Sequence, residues 1–497
     1  MKTVFKRIFL FAYILLFLLA SFYGCGTNVN PLSKPQPAVS TPEGTAVTLR
    51  IITDKSMREF RMNDLLEDLA ASYEELHENV SFEIEYLSDE KEARESQLDR
   101  LRTEMLAGDG PDIFLLSGRV PIQQNEPLFV DVEQSMYNGM FHDLSAYYNA
   151  DTELKTEEFN ETIMAAGTIG EARYILPFYY DLPVIQVNEA ALGEYGLTIE
   201  DVTTGMDALI EKVVELNDPF VSGGLATIRG DFYFLFDYFP NLIDYEKKEL
   251  QLTEEELTTF MQVYQQWMLL RANAGPYANE INSLNSYVQS ETAFWHNAGF
   301  PFHLDNMANS LACAAMGKLQ GEEFAMYPMR ASDGSVIASV TYWGAVGAGC
   351  KYPDVAYDFL REFLTQETQW EANRNQLATM NSGSLYCEMG IPVRTDGMVS
   401  ELYSSMLNQI QTKDLDAASP EKQREVQLKD LTLENSDFPM LETEIDQVRF
   451  YNHFECNFMY QLNSLNDWKN NFVITDVDIE ATAKEIIENL EYLLAEG

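Results

Sequence analysis

Helical and strand periodicities alternate from residue 47 onward, and this alternation predicts an α/β fold with a doubly wound sheet. Three observations carry the prediction. Val47, Leu49 and Ile51 alternate as a strand, Leu65, Leu66, Leu69, Tyr73 and Leu76 recur at helical spacing, and Val80, Phe82, Ile84 and Tyr86 alternate strictly. A second helical stretch through Leu98, Leu101 and Met105 ends at Gly108-Asp109-Gly110. Pro111 then precedes the continuous apolar run Ile113–Leu116, as expected of a buried parallel strand. Finally, 46% of the 497 residues are hydrophobic and 12% aromatic, so the chain can build more than one core by apolar burial. Its five cysteines are too few for a disulfide framework and form no zinc-spaced pair.

The segments before residue 47 are of another kind. Lys2, Lys6 and Arg7 precede an almost wholly apolar run from Ile8 to Phe22 that contains no acid. That run is about fifteen residues, too short for the roughly 20 a spanning helix needs, and it reads as a cleavable export signal over 1–24. Phe22-Tyr23-Gly24-Cys25 resembles a bacterial lipobox, which makes Cys25 the expected lipidated first residue of the mature chain. Two acyl chains hold a protein stably at a membrane. Residues 25–46 carry four prolines among small polar residues and read as a flexible tether.

Charge excludes one class of partner. With 33 Lys+Arg against 79 Asp+Glu the formal net charge is -46, so a nucleic-acid backbone is repelled and no nucleic-acid partner is expected. Anionic lipid is equally poorly served, which leaves any membrane attachment to the lipid anchor.

Six segments in order carry a family resemblance. LAGDGPDIFLLSGR (106–119) resembles the Gly-x-Pro-Asp-hydrophobic signature of family-one extracellular solute-binding proteins, the maltose-binding-protein-like group. GEARYILPFYYDLPVIQVNEAALGEYGL (170–197) is similar to the crossover of that family, and SETAFWHNAGFPF (290–302) to a segment that places aromatics on its cleft. Residues 323–369 resemble the return crossing and the helix after it, while IPVRTD (391–396) and ATAKEIIENLEYLL (481–494) complete the order. Thr204-Gly205-Met206 and a long 397–470 stretch depart from the common pattern.

The resemblance implies a two-lobe periplasmic-binding-protein-like fold with a hinge and an interlobe ligand cleft. The first α/β lobe would comprise 47–178 and 328–375, the second 179–327 and 376–497. It further implies a lipid-anchored receptor, monomeric and without cofactor, that captures a carbohydrate by lobe closure and delivers it to the membrane permease subunits of an ABC importer. Its location would be the outer face of the cytoplasmic membrane.

Sugar recognition needs flat apolar faces for pyranose rings and carboxylate or fork-shaped partners for hydroxyl pairs. The candidate positions at the cleft mouth supply both: Asp54 and Lys55 after the first strand, Ser117 and Arg119 after the third, and Tyr179, Tyr180 and Asp181 at the crossover. Trp295 and Phe300 flank a Gly/Asn turn, and Tyr342 and Trp343 lie at the return, with Trp343 the expected stacking platform. Asp181 occupies the position where relatives carry an acid that binds sugar hydroxyls.

Other chemistries fit less well. GAVGAGCK (344–351) lacks the Lys and Ser/Thr of a phosphate loop, because Cys350 and Tyr352 stand in those places, and small residues packing a strand end explain it. The five histidines form no His-Glu-x-x-His helix, and no Gly-x-Ser-x-Gly elbow is present, so neither a metal site nor a catalytic residue is expected. Tyr179-Tyr180 leaves open a ferric-ion binder with paired phenolates. An exported carbohydrate-active enzyme or a surface adhesion module on the same acidic scaffold also remains an alternative.

Overall fold

The computed structural model describes residues 40–54, 62–118, 126–154, 158–218, 221, 239, 242–244, 247–273, 302–306, 325–369, 390–395, 443–450 and 478–496. The chain opens with β1 (Val47–Asp54), α1 (Met62–Leu76), β2 (Val80–Leu87), α2 (Lys91–Ala107) and β3 (Ile113–Ser117). These are the elements the periodicity predicts. β1 lies between β2 and β3 and runs parallel to both. Ile113–Leu116 is buried throughout, which is why that strand reads as a continuous apolar run, while edge strand β2 keeps several residues partly exposed. α2 stops at Gly108, whose φ of 80° is the left-handed cap that only glycine adopts freely.

Three short helices follow, α3 (Val132–Tyr137), α4 (Ser145–Ala150) and α5 (Glu161–Ala165), then a two-stranded pair, β4 (Thr168–Ile169) and β5 (Ala172–Arg173). Next comes β6 (Ile175–Asp181), buried along its whole length. After Leu182 the chain enters a different sheet. There β7 (Pro183–Val187) is flanked antiparallel by β10 (Phe302–Asn306) and β11 (Ala325–Pro328). Between β7 and β10 lie α6 (Glu189–Glu194), α7 (Ile199–Thr203), α8 (Met206–Leu216), the pair β8 (Ile243–Asp244) and β9 (Glu249–Leu250), and α9 (Glu254–Asn273).

β12 (Ile337–Val346) brings the chain back, antiparallel to both β3 and β6, with all ten residues buried. α10 (Pro353–Arg361), β13 (Ile391–Pro392), β14 (Gln447–Arg449) and α11 (Ile479–Glu496) complete the described elements. The first sheet has the order β13-β6-β12-β3-β1-β2, with β14 paired to β12.

Two hydrophobic cores follow the two sheets. The first gathers β1, β3, β6 and β12 with α10, and the second gathers β7, α8, α9 and α11 around Val187, Leu209, Leu257, Phe260 and Leu490. At the crossover the allegiance changes within one step, since Val184 belongs to the first core and Ile185 to the second. Each fully buried aliphatic or aromatic side chain contributes about 1.5–3 kcal/mol, so apolar burial is the main term holding each lobe together.

The expected lobe boundaries shift in four places. β6 runs in the first sheet to Asp181, three residues beyond the expected limit at 178. Pro328 ends a strand of the second sheet and Met329 sits in the second core, so re-entry comes at Ile337 and not at 328. β13 and β14 both join the first sheet, although 376–497 was assigned to the second lobe. These strands are two and three residues long, too short to show a period, and only their pairing reveals where they belong. The end of the tether is also held: the Thr41 hydroxyl donates to Asp354 at the start of α10 (2.5 Å), and the Thr41 N–H donates to the same carboxylate.

The glycines of GAVGAGCK are required by packing. A Cβ on Gly347 would stand 2.2 Å from the Pro111 carbonyl oxygen, and one on Gly349 2.5 Å from that of Gly108. The segment therefore closes against the loop before β3, as small residues at a strand end should.

Candidate functional site

β12 runs opposite to β1 and β3, so its first half lies toward their carboxyl ends, where ligands of open α/β sheets bind. Two rows of residues cross the sheet there. In the first, Ser117 on β3, Tyr342 on β12 and Tyr179 on β6 are direct partners. The rings of Tyr342 and Tyr179 meet edge to face at 6.1 Å, and the Tyr179 hydroxyl donates to the Gln369 carbonyl (3.3 Å). Gly118, beside Ser117, has to be glycine, because a Cβ there would lie 1.9 Å from the Val340 carbonyl oxygen.

In the second row Asp181 at the end of β6 faces Ser339 on β12, which faces Arg449 on β14. Directly opposed residues share a face of the sheet, with Cβ atoms roughly 5 Å apart. Asp181 is 3% exposed and its Oδ1 accepts the Leu182 N–H (2.9 Å). The Ser339 hydroxyl is buried and has no hydrogen-bond partner among the described residues. Arg449, 2% exposed, donates from Nη1 to the carbonyl of Phe239 (3.3 Å), a residue of the second core. A carboxylate, a hydroxyl and a guanidinium are thereby aligned next to the point where the chain leaves the first lobe.

Four of the residues expected from sequence, Ser117, Tyr179, Asp181 and Tyr342, are thus brought together. Three others turn inward. Asp54 forms a two-pronged pair with Arg94 (3.1 and 2.5 Å), and the same guanidinium donates to the carbonyls of Glu126 (2.8 Å) and Ser88 (3.3 Å). One buried arginine on α2 therefore ties together the chain at the ends of β1 and β2 and the segment after β3. Asp54 supports this mouth of the lobe from within, a role its position at a strand end did not reveal.

Tyr180 is hydrogen-bonded to Asn160 at the start of α5, and burial, helped by the charge of Asp181, pushes its phenol up to about 12. Tyr179 donates to a backbone carbonyl and Tyr180 bonds to Asn160, so both hydroxyls are engaged within the first lobe.

Trp343, expected as the stacking platform, is 1% exposed and enclosed by Phe129 (6.1 Å), Phe141 (5.9 Å) and Phe450 (6.2 Å). β12 is covered on both faces and its register with β6 slips at Tyr342, so Trp343 points into the core of the first lobe. Lys55, Arg119, Trp295, Phe300 and Cys25 lie outside the described residues.

Sequence reading missed Arg94, Ser339 and Arg449. Arg94 sits in a run of charged helix residues, and Arg449 follows a stretch without periodicity, so only their partners distinguish them. Among the described residues, no group of three or more His, Cys, Asp or Glu is placed to hold a metal ion, and no helix is long and apolar enough to cross a membrane.

Two α/β lobes, linked by strands that pass from one sheet to the other and carrying a polar strip at the crossing, make up the architecture of a two-lobe binding protein. The family model for bacterial extracellular solute-binding proteins matches residues 61–370, and the chain belongs to that family of binding proteins.

Among solved structures it is similar to an extracellular solute-binding protein of family 1 from Alicyclobacillus acidocaldarius, at 13% identity over 93% of this chain and 100% of that one, with a TM-score of 0.48. An ABC substrate-binding protein from Listeria monocytogenes in complex with cycloalternan is 10% identical over 90% and 99% of the two chains, TM-score 0.48. The GacH receptor of Streptomyces glaucescens, solved unliganded and with acarbose, is 13% identical over 90% and 99%, TM-score 0.48. A comparison with curated proteins gave no significant match.

Proposed function

We propose that this solute-binding protein is the carbohydrate receptor of an ABC importer, taking an oligosaccharide between its lobes and closing on it. The observation that carries this reading is the row Asp181, Ser339 and Arg449 at the crossover, where acceptor and donor groups suited to hydroxyls stand between two separately cored lobes. Buried hydroxyls must be met by partners, since each one left unpaired costs about 1–3 kcal/mol. A carboxylate accepts and a guanidinium donates, so a polyol can satisfy both at once.

The anchor belongs to the same proposal. The apolar run before Gly24-Cys25 supports export and lipidation at Cys25, which would hold a monomer on the outer face of the cytoplasmic membrane beside the permease subunits. Titration of the purified mature chain against an oligosaccharide library, with product analysis on the same samples, tests the reading. Saturable binding without new reducing ends is expected. Absence of binding by every sugar, or turnover of a bound one, overturns it.

A further inference from the structure

We infer that Ser339 and Arg449 complete, with Asp181, a single subsite for the adjacent hydroxyls of a neutral sugar, and that carboxylate-bearing sugars are excluded from it. The inference deepens the carbohydrate reading above and rests on it. Three independent observations lead to it.

The first is placement. Register fixes the three residues as opposed partners on β6, β12 and β14, in one row at the end of the sheet from which the chain crosses to the other lobe. The second is the hydroxyl of Ser339. Its oxygen is buried and has no hydrogen-bond partner among the described residues, although its residue is only 4% exposed. A hydroxyl withdrawn from water ordinarily finds a partner within the protein, so this one keeps its hydrogen-bonding capacity for a group supplied from outside. The third is that Arg449 reaches from the first sheet to the Phe239 carbonyl in the second core. The guanidinium therefore reaches from the first sheet to a residue of the second core, at the side from which the chain crosses between them.

The chemistry of the row selects its ligand. The Asp181 carboxylate accepts, Arg449 only donates, and Ser339 between them does either. Two neighbouring hydroxyls match this sequence: one donates to Asp181 and accepts from Ser339, and the next accepts from Arg449. A uronate would gain Arg449 but bring its charge beside buried Asp181, and like charges in a poorly solvated site repel strongly.

The test is titration calorimetry of the mature chain with a neutral oligosaccharide library and its uronic-acid counterparts, on wild type, Ser339→Ala and Arg449→Lys, with a melting curve for each. The expected result is binding of a neutral sugar by wild type, roughly ten-fold weaker binding by Ser339→Ala with an unchanged melting temperature, and a loss at least as large in Arg449→Lys. Lysine retains the charge and loses the fork, so a folded Arg449→Lys chain reports on geometry alone. Tighter binding of the uronic-acid series by wild type overturns the inference. So does full neutral-sugar affinity in Ser339→Ala, which would leave the carbohydrate reading standing. If wild type binds no sugar at all, the carbohydrate reading falls first, and this subsite with it.

Discussion

Trp343 and Arg94 are the two side chains on which the first lobe depends most visibly. Truncating Trp343 to Ala empties a space walled by three phenylalanines, and losses of this kind amount to about 3–5 kcal/mol. Urea unfolding of Trp343→Ala should therefore show a large fall in midpoint. A variant that melts like wild type but binds weakly would return the indole to the cleft. Arg94→Met strands the buried carboxylate of Asp54 and should destabilise by about 3–5 kcal/mol, most of it recovered in the double variant with Asp54→Leu. A double-mutant cycle by chemical denaturation measures this coupling directly.

His142 gives the pH arm at this scale. Burial pushes its imidazole below the ordinary histidine range, and the nearby Asp143 opposes this only in part. The unfolded chain therefore binds a proton near pH 6.5 that the folded chain refuses. The stability associated with neutral His142 is fully present above about pH 7 and erodes as pH falls through that range. The melting temperature of wild type should fall more than that of His142→Gln between pH 7.5 and 5.5; parallel curves would show that the imidazole is not held neutral.

At the scale of elements, the loop after β12 is tied to the loop before β3 by backbone contact across Gly347 and Gly349. Gly347→Ala forces a Cβ against the Pro111 carbonyl and should cost about 1–3 kcal/mol, since backbone has no rotamer through which to yield. Gly193→Ala within α6 meets open space and should be neutral or stabilising by about 0.4–1 kcal/mol. Thermal melts of the two variants together separate this steric account from a general intolerance of substitution. The elements themselves differed in legibility. β1, α1, β2 and α2 were readable because each is long enough to display its period, and β3 because its continuous apolar run follows turn residues. β13 and β14 were not, since a strand of two or three residues has no period and exists only through its partner.

For the whole molecule the central expectation is closure. Two cores with separate sheets are joined where Asp181 and Leu182 lead into Pro183 and where Met329 returns toward Ile337, and these crossings are the backbone positions at which closure would be expected to bend the chain. Small-angle scattering of the mature chain should show a smaller radius of gyration once a sugar that binds by calorimetry is added. Superimposable profiles would make the molecule a rigid module. Attachment is tested separately by fractionating cells that carry Cys25→Ala. Release of the protein from the membrane is the expected outcome, whereas full retention with residues 1–24 still present would mean that the apolar run itself is the anchor.

The sequence alone determined the fold class, the family resemblance and the order of the first five elements. All of these follow from local periodicity, from turn residues or from a resemblance carried by short contiguous motifs. It also put Ser117, Tyr179, Asp181 and Tyr342 at the strand ends and crossings where a site would form. Only the tertiary structure decided which polar residues face each other. Asp54 and Asp181 are both acids at strand ends, and nothing local distinguishes them. Arg94, forty positions from Asp54, binds one, while Ser339 and Arg449, 158 and 268 positions from Asp181, align with the other. Pairing across such separations depends on register, which is set by how whole strands bury their faces, and no window along the chain contains that information.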